Sequence, residues 1–122
     1  MRLLDASAML AFILNEPGAD AVDRALEDCV MSVINASETA AVLQRKGVPI
    51  DKAIADLAAM TLPMVAPSID TAMSAARLSV HKGLSLGDRF CIAEAQLRGV
   101  PIVTADRAWA DLNLSVPVEL IR

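Results

Sequence analysis

Four acids in this chain stand where chemistry on a phosphate could be done: Asp5, Glu38, Asp88 and Asp106. Each falls at a strand-to-helix junction or a helix start. Capping and the helix dipole favour an acid at such a position by roughly 0.5–2 kcal/mol, so each one singly has an ordinary explanation. Jointly they have a cost. Two carboxylates about 4 Å apart repel by roughly 4 kcal/mol at an effective dielectric near 20. Helix dipoles offset part of this, and a divalent cation would offset far more. Hard oxygen donors select Mg²⁺ or Mn²⁺. Such an ion activates a water and stabilises the leaving oxygen of a phosphodiester. Ser7 and Thr104 sit beside two of the acids. Their hydroxyls could position a water, although packing accounts for them equally well.

The acids need elements to hold them. Ser85 to Trp109 reads as cap, helix, turn, strand and acid. Ser85 and Asp88 have capping-box spacing, with Asp in place of the usual Glu. Phe90, Ile92, Ala93 and Leu97 give an apolar face at helical spacing, and Gly99 ends the helix. Val100 to Thr104 is a short buried strand, and Asp106 can cap the next helix. A helix of about 13 residues runs roughly 20 Å one way. A five-residue strand returns roughly 16 Å. Asp88 and Asp106 could therefore reach the same edge of a sheet.

The remaining chain follows the same alternation. Arg2-Leu3-Leu4 is a strand ending at Asp5, and Ser7 to Leu14 an apolar helix. Gly18 to Asp28 is amphipathic, with Ala21, Val22, Ala25 and Leu26 inward. Cys29 to Ser32 is a second strand. Asn35 reads as the N-cap of a helix that carries Glu38 and runs to Lys46 before Gly47. Pro49 opens a helix over Ile50 to Met60, with Ile54, Leu57 and Ala58 on its apolar side. Pro63 to Ala66 is a third strand. Ser68 caps a helix bearing Ala72, Ala75, Ala76 and Leu78, and Val116 to Ile121 is a last strand. Short strands alternating with longer helices, without hairpin turns, indicate an α/β fold with a mostly parallel sheet and helices on both faces. Ligands of such sheets bind at the carboxyl edge, where the four acids fall. Strand order is not legible in the pattern.

Composition narrows the class. The 122 residues fit one domain spanning 1–122. Hydrophobic residues make up 55%, which excludes disorder, while 2% aromatics leave no base-stacking platform. A net charge of −4 argues against a broad basic surface for nucleic acid. It does not exclude an enzyme that holds phosphate through a cation. The first residues lack a signal-peptide pattern, and no apolar run approaches a membrane span, so a cytoplasmic setting is expected. Cys29 and Cys91 read as buried free thiols.

Other chemistries find little material. His81 is the only histidine, so His/Cys zinc clusters and Ser-His-Asp catalysis are poorly served. Neither phosphate-binding glycine motif is present. Asp70 reads as a cap, and Asp51, Asp56, Glu94 and Asp111 as solvated. A phosphoacceptor domain also clusters acids at strand ends, but it wants a late Lys, and the last here is Lys82. An interaction module whose acids only cap helices is the third reading. It predicts no divalent-ion effect on melting.

Four segments bring a family into view. Leu4 to Ala8, Asn35 to Glu38, Leu84 to Arg89 and Thr104 to Trp109 resemble the signature segments of PIN-domain ribonucleases, in the family's order. The VapC toxin branch is the nearest match, and the resemblance spans nearly the whole chain. It implies a three-layer α/β/α sandwich around a parallel sheet. It also implies Mg²⁺- or Mn²⁺-dependent cleavage of RNA, often tRNA or rRNA, with the acidic quartet at Asp5, Glu38, Asp88 and Asp106. Asp5, Asp88 and Asp106 would bind the metal most directly. The implied partners are a cognate VapB-type antitoxin and a second copy in a homodimer. The segment from Ala76 to Leu84 looks shorter than in many relatives. Arg77, Lys82, Arg89 and Arg107 are candidates near the acidic edge for holding RNA, although ordinary surface charge accounts better for each.

Overall fold

The computed structural model describes residues 1–122. Its sheet is wholly parallel. Strands β1 (Arg2–Leu4), β2 (Cys29–Ser32), β3 (Met64–Val65), β4 (Ile102–Thr104) and β5 (Val118–Leu120) lie in the order β3-β2-β1-β4-β5. Connections run outward from β1 in one direction, then return to its other side at β4. The crevice between β1 and β4 is thus the point where the winding reverses. Leu3 is in register with Val30 on one side and Ile102 on the other.

Alternation along the strands builds the layers. Leu4, Met31 and Val103 point into one core, completed by Ala8, Met9, Val22, Ala40, Leu43, Ala53 and Leu57. These come from α1 (Ala6–Ile13), α2 (Ala19–Ala25), α3 (Val33–Arg45) and α4 (Ile50–Ala59). Leu3, Val30 and Ile102 point into the other, with Ala75, Cys91, Ile92, Ala95 and Trp109. That face is covered by α5 (Ile69–Arg77), α6 (Leu86–Arg98) and a 3₁₀ turn at Arg107–Asp111. The result is the expected three-layer sandwich. No helix is long and apolar enough to cross a membrane. Both cysteines are free and buried.

Several expectations are corrected. The helix carrying Glu38 starts at Val33, and its cap is Ser32, whose hydroxyl accepts from the Ile34 N–H. Ser32 both ends β2 and opens α3, so Asn35 lies inside the first turn. Leu97 is 51% exposed, whereas Cys91 to Ala95 are buried without a break, Glu94 included. α6 is covered by the sheet, by α5 and in part by α3, so its buried surface is wider than one stripe. Glu94 is satisfied by the Arg98 guanidinium at 2.9 Å and lies 3.5 Å from the Thr71 hydroxyl. Ile54 and Ala58 are exposed; Ala53 and Leu57 form the inward side of α4. Asp106 caps a short 3₁₀ turn rather than an α-helix. Ala76 is exposed on α5.

Candidate active site

Asp5 follows β1 directly and is 2% exposed. Although it occupies the N-cap position of α1, its side chain makes no capping bond. Its Oδ2 instead accepts from the Ser7 hydroxyl at 2.5 Å and from the Thr104 hydroxyl at 2.9 Å. The capping explanation therefore fails for this acid. The two hydroxyls also tie β1 to β4. Ser7 Oγ accepts from the Ala105 N–H, and Thr104 Oγ1 accepts from the Asp106 N–H, each at 3.0 Å. Burial raises the Asp5 carboxyl from 3.8 to about 6, and the Asp88 charge adds to the rise; the bonds from Ser7 and Thr104 oppose it.

Asp88 is carried to the same edge by α6. The capping box is complete: Ser85 Oγ accepts from the Asp88 N–H at 3.1 Å, and Asp88 Oδ2 accepts from the Ser85 N–H at 2.9 Å. Asp in place of Glu closes the box here.

Glu38 lies one turn deeper into α3 than a helix-start acid. Its carboxyl is raised by burial, opposed by a bond from Asn35 and reinforced by the Asp88 charge. Asn35 is fully buried and donates from Nδ2 to Glu38 Oε1 at 2.7 Å and to the Gly87 carbonyl at 3.1 Å. Gly87, buried in the first turn of α6, lies so close that a Cβ there would overlap the Glu38 carboxyl group. Sequence reasoning missed both as site residues. The Asn three places before the acid, and a Gly where a helix-favouring residue would serve α6 better, were the available signs.

Asp106 is exposed, and its Oδ1 accepts from the Ala108 N–H at 3.0 Å. Its backbone is bound to Thr104, which places it at the β4 end of the same edge. The structure couples Asp88 electrostatically to both Asp5 and Glu38. No three acid, imidazole or thiol side chains converge closely enough to form a closed metal cluster. The donor chemistry still suits a hard divalent ion. The donors are all oxygen, and no cationic side chain acts on the Asp5 or Glu38 carboxyl. One or two carboxylates with water completing the shell is the usual mode for Mg²⁺.

A family model for the PIN domain matches residues 2–113. The chain belongs to the PIN-domain family. No curated protein matches it by sequence. Among solved structures, a toxin–antitoxin complex from Klebsiella pneumoniae superposes with a TM-score of 0.72 at 20% identity, covering 95% of each chain. A member of the VapBC family of toxin–antitoxin systems, VapBC-5 from Mycobacterium tuberculosis, gives 0.66 at 22% identity over 98% of this chain and 97% of that one. FitAcB from Neisseria gonorrhoeae gives 0.67 at 19% identity over 99% and 98%. At these identities the likeness establishes the fold. In this PIN domain the acids sit around the carboxyl ends of β1 and β4.

Proposed function

We propose that this PIN domain is a metal-dependent endoribonuclease and the toxin of a toxin–antitoxin pair. The observation that carries the proposal is the buried Asp5 carboxyl at the reversal point of the sheet. It is held by two hydroxyls, burdened by the charge of Asp88, and excused from capping. Asp5, Asp88 and Asp106 would hold Mg²⁺ or Mn²⁺, with Glu38 completing the site directly or through water. A bound ion supplies water activation and neutralises charge on a phosphodiester. The chain's own groups do the rest. Ser7 and Thr104 favour the ionised form of Asp5 against burial. An acid of the cluster would take the proton from the attacking water. The superposed toxin–antitoxin structures support an antitoxin as partner. A VapB-type antitoxin, a homodimer and a cytoplasmic setting complete the proposal.

The test is cleavage of tRNA and rRNA with Mg²⁺ or Mn²⁺ by the protein and by Asp5→Asn. Undiminished cleavage by the variant overturns the assignment. A second reading, an interaction module whose acids only cap helices, draws on the capping bonds of Asp88 and Asp106. It predicts a melting temperature indifferent to Mn²⁺.

A further inference from the structure

Glu38 and Asp88 belong to helices on opposite faces of the sheet, and one side chain joins them. Asn35 uses its Nδ2 toward both sides, reaching the Glu38 carboxyl at 2.7 Å and the backbone of α6 at Gly87, immediately before Asp88, at 3.1 Å. The amide cannot be turned over. Flipping it would set Oδ1 against two acceptors, the Glu38 carboxylate and the Gly87 carbonyl. This orientation leaves the buried Oδ1 with no protein partner, so both of the amide's protein bonds are donor bonds, one to each side. Gly87 supplies the other half of the arrangement. Its φ is not positive, so no turn requires a glycine there. What requires it is room: any Cβ would occupy the space of the Glu38 carboxyl group.

We propose that Asn35 is a positioning residue that acts through Glu38, and that the bare Cα of Gly87 forms the seat in which Asn35 holds the Glu38 carboxylate beside Asp88. This rests on Glu38 belonging to the active acids. A residue that only stapled α3 to α6 would need neither the bond to Oε1 nor the missing side chain on Gly87.

A double-mutant cycle in RNA cleavage separates the two roles. Asn35→Ala and Glu38→Ala should each lower kcat by roughly 10- to 100-fold, the usual effect of losing an outer-shell partner. Adding Asn35→Ala to Glu38→Ala should change kcat by less than about two-fold, because the path through Glu38 is already gone. Multiplying effects would overturn the positioning role. Gly87→Ala guards against misfolding. Alanine favours the helix, and the displaced group is the mobile end of a side chain, so melting should hold while kcat falls as in Glu38→Ala. Full activity in folded Gly87→Ala would overturn the seat. The readout that does not need activity is the Asn35 side-chain amide in ¹⁵N-correlated NMR spectra. Glu38→Ala and Gly87→Ala should each move one of its two protons upfield and leave the one bonded to Gly87 in place. Unmoved resonances would overturn the seat. If the wild type cleaves no RNA, the functional reading fails, and the NMR arm alone still decides the seat.

Discussion

Replacing Asp5 by Asn should make this protein more stable at neutral pH. The carboxyl is pushed from 3.8 to about 6, chiefly by burial. A raised acid reverses the common pattern for carboxylates: the folded state holds its proton more tightly than the unfolded state. Stability is full below about pH 3.8 and is lost as pH rises through about 6. Each pH unit between the two values is worth ~1.4 kcal/mol, so an ionised Asp5 costs the fold about 3 kcal/mol at pH 7.5. At pH 5 the cost is roughly half as large. The amide imitates the neutral carboxyl and keeps an acceptor for Ser7 and Thr104. Urea unfolding of both proteins at pH 7.5 and pH 5, without divalent ions, measures the difference directly. The Asp5→Asn variant should lead by about 3 kcal/mol at the higher pH, equivalent to roughly 10 °C in Tm for a domain of this size, and by about half that at the lower. Adding Mn²⁺ at pH 7.5 should raise Tm in the wild type and much less in the variant. A variant no more stable than wild type at pH 7.5, or a lead that does not shrink at pH 5, would refute the reasoning.

Three further outcomes follow from the same geometry. Thr104→Val removes one bond that favours ionised Asp5 and the acceptor of the Asp106 N–H. The acidic limb of the RNA-cleavage profile should move to higher pH, and urea unfolding should show a loss of about 1–3 kcal/mol. Ser85→Ala opens the capping box of α6 and should cost about 1 kcal/mol in thermal unfolding. Gly18→Ala meets a φ of +98° and places a Cβ 2.8 Å from Ile121, so it should cost at least about 1–2 kcal/mol by denaturant titration.

Much of this was legible because the signals are local. Leu3-Leu4, Cys29 to Met31 and Ile102-Val103 announced strands by unbroken apolar runs, and Ser85 with Asp88 announced a capped helix. The mistakes arose where one residue serves two elements or where a helix is covered on several sides. Ser32 ends a strand and caps a helix, which displaced the expected cap at Asn35. Glu94 and Leu97 were exchanged between core and solvent because α6 packs against α5 and part of α3 as well as the sheet. Ile54 and Ala58 follow helical apolar spacing, yet they face away from the core. Strand order was out of reach, since parallel partners such as Leu4 and Val103 meet only through the complete fold. The seat of Glu38 was hidden for the same reason: Asn35 and Gly87 are 52 positions apart.

The central place of β1 also sets a schedule for synthesis. Within this domain Asp5 is made before the other site acids, and β1 can pair with β2 once Cys29–Ser32 has emerged. Its other edge stays open until β4 emerges, because the Asp5 N–H donates to the Val103 carbonyl and the Asp5 carboxyl waits for Thr104. For most of translation the chain therefore carries an unpaired parallel strand edge, a template for wrong pairing that a holding chaperone would cover. Under the proposed function, the same delay would keep a nascent chain catalytically silent on the ribosome, and the site would be completed only after β4 has emerged.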